Sequence, residues 1–240
     1  AAYVLGRRGE ETAGGRGPTR RGEFYRTHRK AMTAAAAALS VVAVAAVIRF
    51  RWLGVALLGL SYATAVLYGL MLSPRKRGVV SFLRNVPASK DIFAAAGWMT
   101  VAVLVPVVAA GGASPAAVTL VAAFVFGLAL IRSVMFDFSD VMADRLLGRD
   151  TLPALVGVNQ ARAALAVLAA ALAVVLAAGV AAGIIRGPGY WILICPAYVL
   201  CYLLVFAKQV MVSEHRCALV VDGGFILVAV ICYAHAAVGA

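Results

Sequence analysis

The sequence predicts an all-α fold, a polytopic bundle of transmembrane helices, and three observations carry that prediction. Of the 240 residues, 64% are hydrophobic and 13% charged, whereas an ordinary soluble domain is about half apolar and about a quarter charged. Mean hydropathy is +0.96. Apolar runs recur along the chain at the length a bilayer demands, which is about 20 residues. Together these exclude a soluble globular enzyme, a disordered tail and a disulfide-stapled secreted module. There is no residue-by-residue alternation of the kind a transmembrane barrel needs.

Taken in order, residues 1–30 form a polar and basic N-terminal loop. Seven apolar runs follow, at 31–48, 53–72, 92–110, 115–136, 160–184, 189–207 and 217–238. Their Ala, Val, Leu and Gly content suits helices that pack closely in lipid. Pro106 and Pro196 fall inside runs and predict kinks, because proline removes one helical hydrogen bond and crowds the preceding turn. No stretch is left over for a soluble domain, so the chain reads as a single transmembrane domain over 1–240.

Charge orients the bundle. The formal net charge is +12, from 22 Lys and Arg against 10 Asp and Glu. With seven crossings, residues 1–30, 73–91, 137–159 and 208–216 share one side, and the short links 49–52, 111–114 and 185–188 share the other. The first side, with the span ends that adjoin it, receives 18 of the 22 basic residues; the second receives Arg49, Arg51 and Arg186. Arg132 lies within the fourth run. The positive-inside rule makes the first side cytoplasmic, which accounts for the basic excess without nucleic acid as a partner. All ten acidic residues fall on or near that same side. The rule does not require this, so a face crowded with both signs points to chemistry there.

The informative segment runs from Arg132 to Pro153. Asp137, Asp140 and Asp144 stand at i, i+3 and i+7, which on a helix stacks three carboxylates along one face. They repel one another where the fourth run leaves the membrane, so something cationic must offset them. Arg132, Arg145 and Arg149 are one source of positive charge. A hard divalent cation is the other: Mg²⁺ takes one or two carboxylates together with substrate phosphate oxygens. Carboxylates for Mg²⁺ beside arginines for phosphate make a diphosphate site. Gly148 and Pro153 then break the helix into a loop.

These residues also carry a resemblance. Asp140-x3-Asp144, followed by Gly148-x2-Thr151-Leu152-Pro153 and Gly157, resembles the second aspartate-rich motif of the UbiA superfamily of intramembrane prenyltransferases, with Asp137 as the extra upstream aspartate. Leu83-x-Asn85-Val86-Pro87-x2-Lys90, ahead of a run that holds Gly97-Trp98, is similar to the loop between that family's fourth and fifth helices. The resemblance implies nine transmembrane helices around a central cavity, with two aspartate motifs facing each other on the cytoplasmic side. The seven runs match the third to ninth helices, and the expectation is that the sequence is part of a longer protein. The first aspartate motif, Asn-Asp-x2-Asp-x3-Asp ahead of Arg-Pro, would fall near residues 2–10. There Tyr3 and Gly6 occupy expected aspartate positions, and only Glu10 keeps an acid.

The activity so implied is Mg²⁺-dependent transfer of a prenyl group from a prenyl diphosphate to an aromatic acceptor within the lipid bilayer, as in quinone, haem or lipid biosynthesis, in a multi-pass protein of the bacterial inner membrane. Asp140 and Asp144 would hold Mg²⁺ with help from Asp137. Arg145, Arg149 and Lys90 would contact the diphosphate, and Glu10, the acid kept in the first motif, is a further substrate-binding candidate. Asp222, about a turn and a half into the last run and followed by Gly223-Gly224, would orient a polar acceptor; its alternative is an ion pair with Lys208 or Arg216. Asn85 reads better as a helix cap than as a substrate contact. A non-catalytic transporter, a lipid-binding bundle and an inactive family member are the rival readings. Cys195, Cys201, Cys217 and Cys232 show no paired metal spacing, and His28, His215 and His235 have no partners at ligand spacing. Tyr62, Tyr68, Trp98, Trp191, Tyr198 and Tyr202 read as interfacial belt or core residues.

Overall fold

In hydrocarbon, a helix is the one local structure that satisfies every backbone N–H and C=O within a single segment. Runs of Ala, Leu and Val with few polar interruptions therefore become helices. A computed structural model describes residues 20–48, 56–57, 59–64, 88–138, 141, 151–185, 187, 189–206 and 214–239. Every regular element among them is a helix. Three are long and apolar enough to cross a membrane: Ser89–Ala109, Pro115–Asp137 and Val158–Ala181, of 21, 23 and 24 residues. At 1.5 Å per residue they are about 31–36 Å long. Their ends lie within three residues of the runs expected at 92–110, 115–136 and 160–184. Shorter apolar helices, Lys30–Val42, Tyr190–Leu204 and Leu219–His235, fall within or on three further runs. The chain divides into two compact units, residues 1–112 and 113–240.

The first unit holds α1 (Arg20–Ile48) and α2 (Ser89–Ala109). α1 is interrupted at His28, whose φ of −102° and ψ of 15° are not helical. α2 begins abruptly at Ala88, which adopts a left-handed φ of 56° and ψ of 11°. For a residue with a Cβ that conformation costs about 1–2 kcal/mol. In return the Ala88 carbonyl accepts from the backbone N–H of both Asp91 and Ile92, each at 3.0 Å. The expected kink at Pro106 takes the form of a π-helical turn over Thr100–Leu104, just ahead of the proline. Widening the helix there absorbs the hydrogen bond that proline cannot make. The Thr100 hydroxyl donates to the Ala96 carbonyl at 2.8 Å, adding a local bond beside the irregular turn. α2 ends at Gly111 and Gly112, whose N–H groups bond back to Val108 and Val107 at 3.2 and 3.0 Å. Their φ values of 85° and 117° are open to glycine and strained for other residues.

The second unit is a ring of helices. α3 (Pro115–Asp137) packs on α5 (Val158–Ala181). α5 packs on α7 (Ile194–Cys201, continued by a π turn over Tyr202–Phe206). α7 packs on α8 (Glu214–Gly239), and α8 returns to α3. Two short helices, α4 (Leu152–Val156) and α6 (Gly189–Ile192), brace this ring. α4 touches α3 and α5, and α6 touches α5, α7 and α8. The inward stripe of α3 is Phe124, Leu128, Ile131, Val134, Met135 and Phe138, and that of α5 is Ala161, Leu165, Ala169, Leu172 and Leu176. Apart from the adjacent Val134 and Met135, and with Phe138 just past the end of α3, both recur every three or four residues, the spacing of one helix face. The opposite face of α5 is also apolar, since Val167, Val174 and Val175 are exposed. A lipid-facing helix has that character, because its surroundings are as apolar as its core. The expected irregularity at Pro196 is a break at Leu193, between α6 and α7.

The α3–α5 contact is close because of glycine. A Cβ on Gly127 would lie 2.5 Å from Leu172 Cδ1, and a Cβ on Gly179 would collide with the Leu120 side chain. With no hydrophobic force between helices in lipid, such notches supply the dispersion contact that holds them together. Gly127→Val is expected to destabilise the fold by about 1–3 kcal/mol through overpacking. Gly59 is a helical glycine at which an added Cβ would meet nothing within 4 Å. Gly59→Ala is therefore expected to be neutral or stabilising by up to about 1 kcal/mol. Thermal unfolding of the two variants in the same detergent checks the contrast.

Candidate functional site

The candidate site lies at and below the C-terminal end of α3. Asp137 is the last residue of that helix and is only 8% exposed. The carbonyl end of a helix carries partial negative charge, so a carboxylate there is held against an unfavourable field. Aspartate at this place is a poor choice for stability alone. The chain continues through Phe138, which belongs to the core, and returns at Thr151. Thr151 is buried, and its Oγ1 has no hydrogen-bond partner among the described residues. Its carbonyl starts α4 by accepting from the N–H groups of Ala154 and Leu155, each at 3.0 Å. Pro153 is buried in the first turn of α4, where a missing N–H costs nothing. Gly157, with φ at 89°, turns the chain from α4 into α5. Phe138 and Thr151 both lie in the second unit, and α4 packs on α3 itself.

One to two turns deeper lies a charged pair. Arg132 Nε donates to Asp222 Oδ1 at 2.6 Å, linking α3 to α8. The guanidinium carbon also stands 4.8 Å from the centre of the Phe136 ring, one turn further along α3. Arg132 is five residues before Asp137, about 7.5 Å along the axis. Asp222 is three residues into the apolar stretch Leu219–His235. The expected alternatives for these two charges, Asp140, Asp144 and Lys208, lie outside the described residues, as does the side chain of Arg216. The sequence held the signal. Arg132 and Asp222 are the two charges that lie more than one turn inside an apolar run, and they are opposite in sign. Each is costly alone in hydrocarbon, and pairing lowers the cost of both.

Tyr198 fixes α8 from the other side. Its hydroxyl donates to the Val220 carbonyl at 2.7 Å. A Cβ on Gly223 would lie 2.8 Å from that hydroxyl oxygen, so the glycine makes room for the tyrosine. Tyr198 packs edge-on against Tyr202, with ring centres 5.5 Å apart at 72°. The Gly223-Gly224 pair thus serves close helix packing, and Tyr198 is a link between α7 and α8 beyond the belt or core role read from sequence.

In the first unit, Lys90 and Asp91 occupy the first turn of α2. Lys90 is half-buried and Asp91 is 1% exposed. A carboxylate suits the positive end of a helix, and sequence reasoning passed over Asp91 in favour of its neighbour. The N-cap of α2 is Ala88, and Asn85, expected to cap the turn after it, lies outside the described residues. So do Glu10, Asp140, Asp144, Arg145 and Arg149. Among the described residues no group of three His, Cys, Asp or Glu side chains is placed to hold a metal. No protein-family model matches the chain, and neither a curated protein nor a solved structure matches it.

The ion pair makes its own test. Arg132→Gln and Asp222→Asn each leave one charge uncompensated, whereas the double variant leaves none. Each single variant is expected to unfold more readily than the double, with a coupling energy of about 1–3 kcal/mol. Thermal or denaturant unfolding in detergent measures it, and additive effects would mean that the pair contributes nothing.

Proposed function

We propose that the chain is an intramembrane prenyltransferase of the UbiA type, which transfers a prenyl group from a prenyl diphosphate to an aromatic acceptor. The observation that carries this reading is the buried Asp137 at the end of α3. It begins the aspartate stripe, and Thr151, Pro153 and α4 lie in the same unit, with α4 packed on α3. A carboxylate at the negative end of a helix suits a bound cation. The seven crossings, the nine-helix architecture and the cytoplasmic placement of this end in a bacterial inner membrane belong to the same proposal.

Mg²⁺ fits the hard oxygen donor that Asp137 offers, and Asp140 and Asp144 would complete its carboxylate ligands. The ion would supply positive charge where negative charge grows on the departing diphosphate. The chain's own residues do the rest. Arg145 and Arg149 would bind phosphate oxygens and hold the leaving group in place. Glu10 stands for the acid of the first motif. The allylic C–O bond breaks with its electron pair leaving on the diphosphate. The acceptor ring then attacks the allylic carbon and loses a proton. Apolar helix faces exclude water, which would otherwise capture that carbon. Asp222 lies deeper, on the acceptor side.

One observation favours a second reading. A charged pair inside apolar helices is also what a transporter or a lipid-binding bundle uses to hold cargo. The assay separates them. Purified protein with an allylic diphosphate and an aromatic acceptor is expected to release diphosphate only with Mg²⁺. Asp140→Ala and Asp144→Ala are each expected to lower the rate about 100-fold or more, as when an electrostatic stabiliser of a transition state is removed. Unchanged rates in both variants would refute the site, and no release from the wild type would favour the non-catalytic reading or an inactive family member.

A further inference from the structure

We infer that the Arg132–Asp222 pair is a binding site for the hydroxyl group of a lipophilic molecule dissolved in the membrane. The contact is one-pointed. It uses Arg132 Nε and Asp222 Oδ1 at 2.6 Å, whereas a guanidinium closed on a carboxylate engages two nitrogens and both oxygens. The Nη donors of Arg132 and the second oxygen of Asp222 therefore remain to be engaged by something else. Among the described residues, Asp222 is the hydrogen-bond partner that Arg132 has. The two side chains are 30% and 41% exposed, so the protein does not seal them.

Their surroundings exclude hydrocarbon as the thing they face. Arg132 projects from α3 and Asp222 from α8, both apolar helices, and Ile131, Val134 and Val221 beside them are buried. An N–H or carboxylate oxygen left against lipid loses its hydrogen bond with nothing in exchange. Water or a polar ligand from outside the chain completes the site. Charge then selects its class. The pair is neutral as a whole, so an anion meets Asp222 and a cation meets Arg132. A neutral hydroxyl accepts from an Arg132 Nη–H and donates to Asp222 Oδ2 in the same pose, and so satisfies both sides. The Phe136 ring beside the guanidinium offers an apolar wall for the rest of the molecule. The Tyr198 bond to Val220 and the fit of Gly223 hold α8 in the register that aims Asp222 at α3.

This gives Asp222 a defined ligand chemistry, and it holds whether or not the chain transfers prenyl groups. A phenol and a long-chain alcohol both carry the group that is recognised. The test uses the whole protein in phosphatidylcholine nanodiscs, with calorimetric titration of 4-nonylphenol, of dodecanol and of their methyl ethers, each corrected against empty nanodiscs. At least one hydroxyl compound is expected to bind about tenfold or more tightly than its ether, a difference of about 1.4 kcal/mol; which one does so identifies the source. The preference is expected to vanish in the R132Q/D222N double variant. Equal binding of hydroxyl and ether by the wild type overturns the inference, and so does a preference that survives in the double variant. A diazirine-bearing alkylphenol on the wild-type protein tests it without any substitution. Adducts confined to peptides around 128–138 and 219–226 support the site, and adducts elsewhere alone refute it. Hydroxyl binding with no diphosphate release would refute prenyl transfer and leave this site standing.

Discussion

The second unit depends on an ion pair between two apolar rods, Arg132 with Asp222. α3, α5, α7 and α8 close a ring, and dispersion between Ala, Val and Leu surfaces sets how near the helices come but only weakly how far they slide. Arg132 and Asp222 set the slide. Each carries a charge that hydrocarbon will not accept, and a shift of one turn, about 5.4 Å, would separate a 2.6 Å contact. The bond from Tyr198 to Val220 applies a second pin to the same stretch of α8. With the register fixed, Asp137 and the return at Thr151 come to one end of the unit, above the pair. The notches at Gly127 and Gly179 let α3 and α5 approach closely over the middle and the opposite end of α3.

The helical class and the position of the long helices were legible in the sequence, because a 20-residue apolar run has no alternative in lipid. The ends of α2, α3 and α5 follow from residues that act locally: Gly111, Ser114-Pro115, and Gly183 after α5. The inward faces were not legible. A soluble helix marks its core side by contrast with a polar side, but α5 carries leucine inward and valine outward, and no contrast remains to read. The left-handed Ala88 gave no signal either, since alanine disfavours that conformation and a tertiary constraint overrides its preference. The π turn at Thr100–Leu104 was legible only as a proline kink; its exact form depends on which hydrogen bonds the helix rearranges.

The candidate site shows the same division. The aspartate stripe announces itself by spacing; of its members Asp137 is described, at the end of α3, and Asp140 and Asp144 lie outside the described residues. The pairing of Arg132 with Asp222 joins residues 90 apart, and proximity along the chain suggested nearer partners for both. Cost was the better guide: two opposite charges inside apolar runs are each other's best partners wherever they fall. The same reasoning separates two layers of polarity. Asp137 lies, buried, at the helix end. The ion pair lies beneath it, where a membrane-dissolved molecule would arrive from the lipid side. A donor with a charged head and a long apolar tail and an acceptor with a small polar group would meet between such layers.

The central claim is that the stripe begun by Asp137 holds a divalent cation together with a diphosphate. Mn²⁺ in place of Mg²⁺ makes this directly observable, because its paramagnetic resonance signal broadens on binding. The measurement is a Mn²⁺ titration of the protein in nanodiscs, with and without geranyl diphosphate, for the wild type and for Asp137→Asn, Asp140→Asn and Asp144→Asn. Binding that tightens when the diphosphate is present and is lost or weakened about tenfold or more in the variants, about 1.4 kcal/mol, is the predicted result. Absence of binding in the wild type, or binding indifferent to both the diphosphate and the three substitutions, would contradict the account.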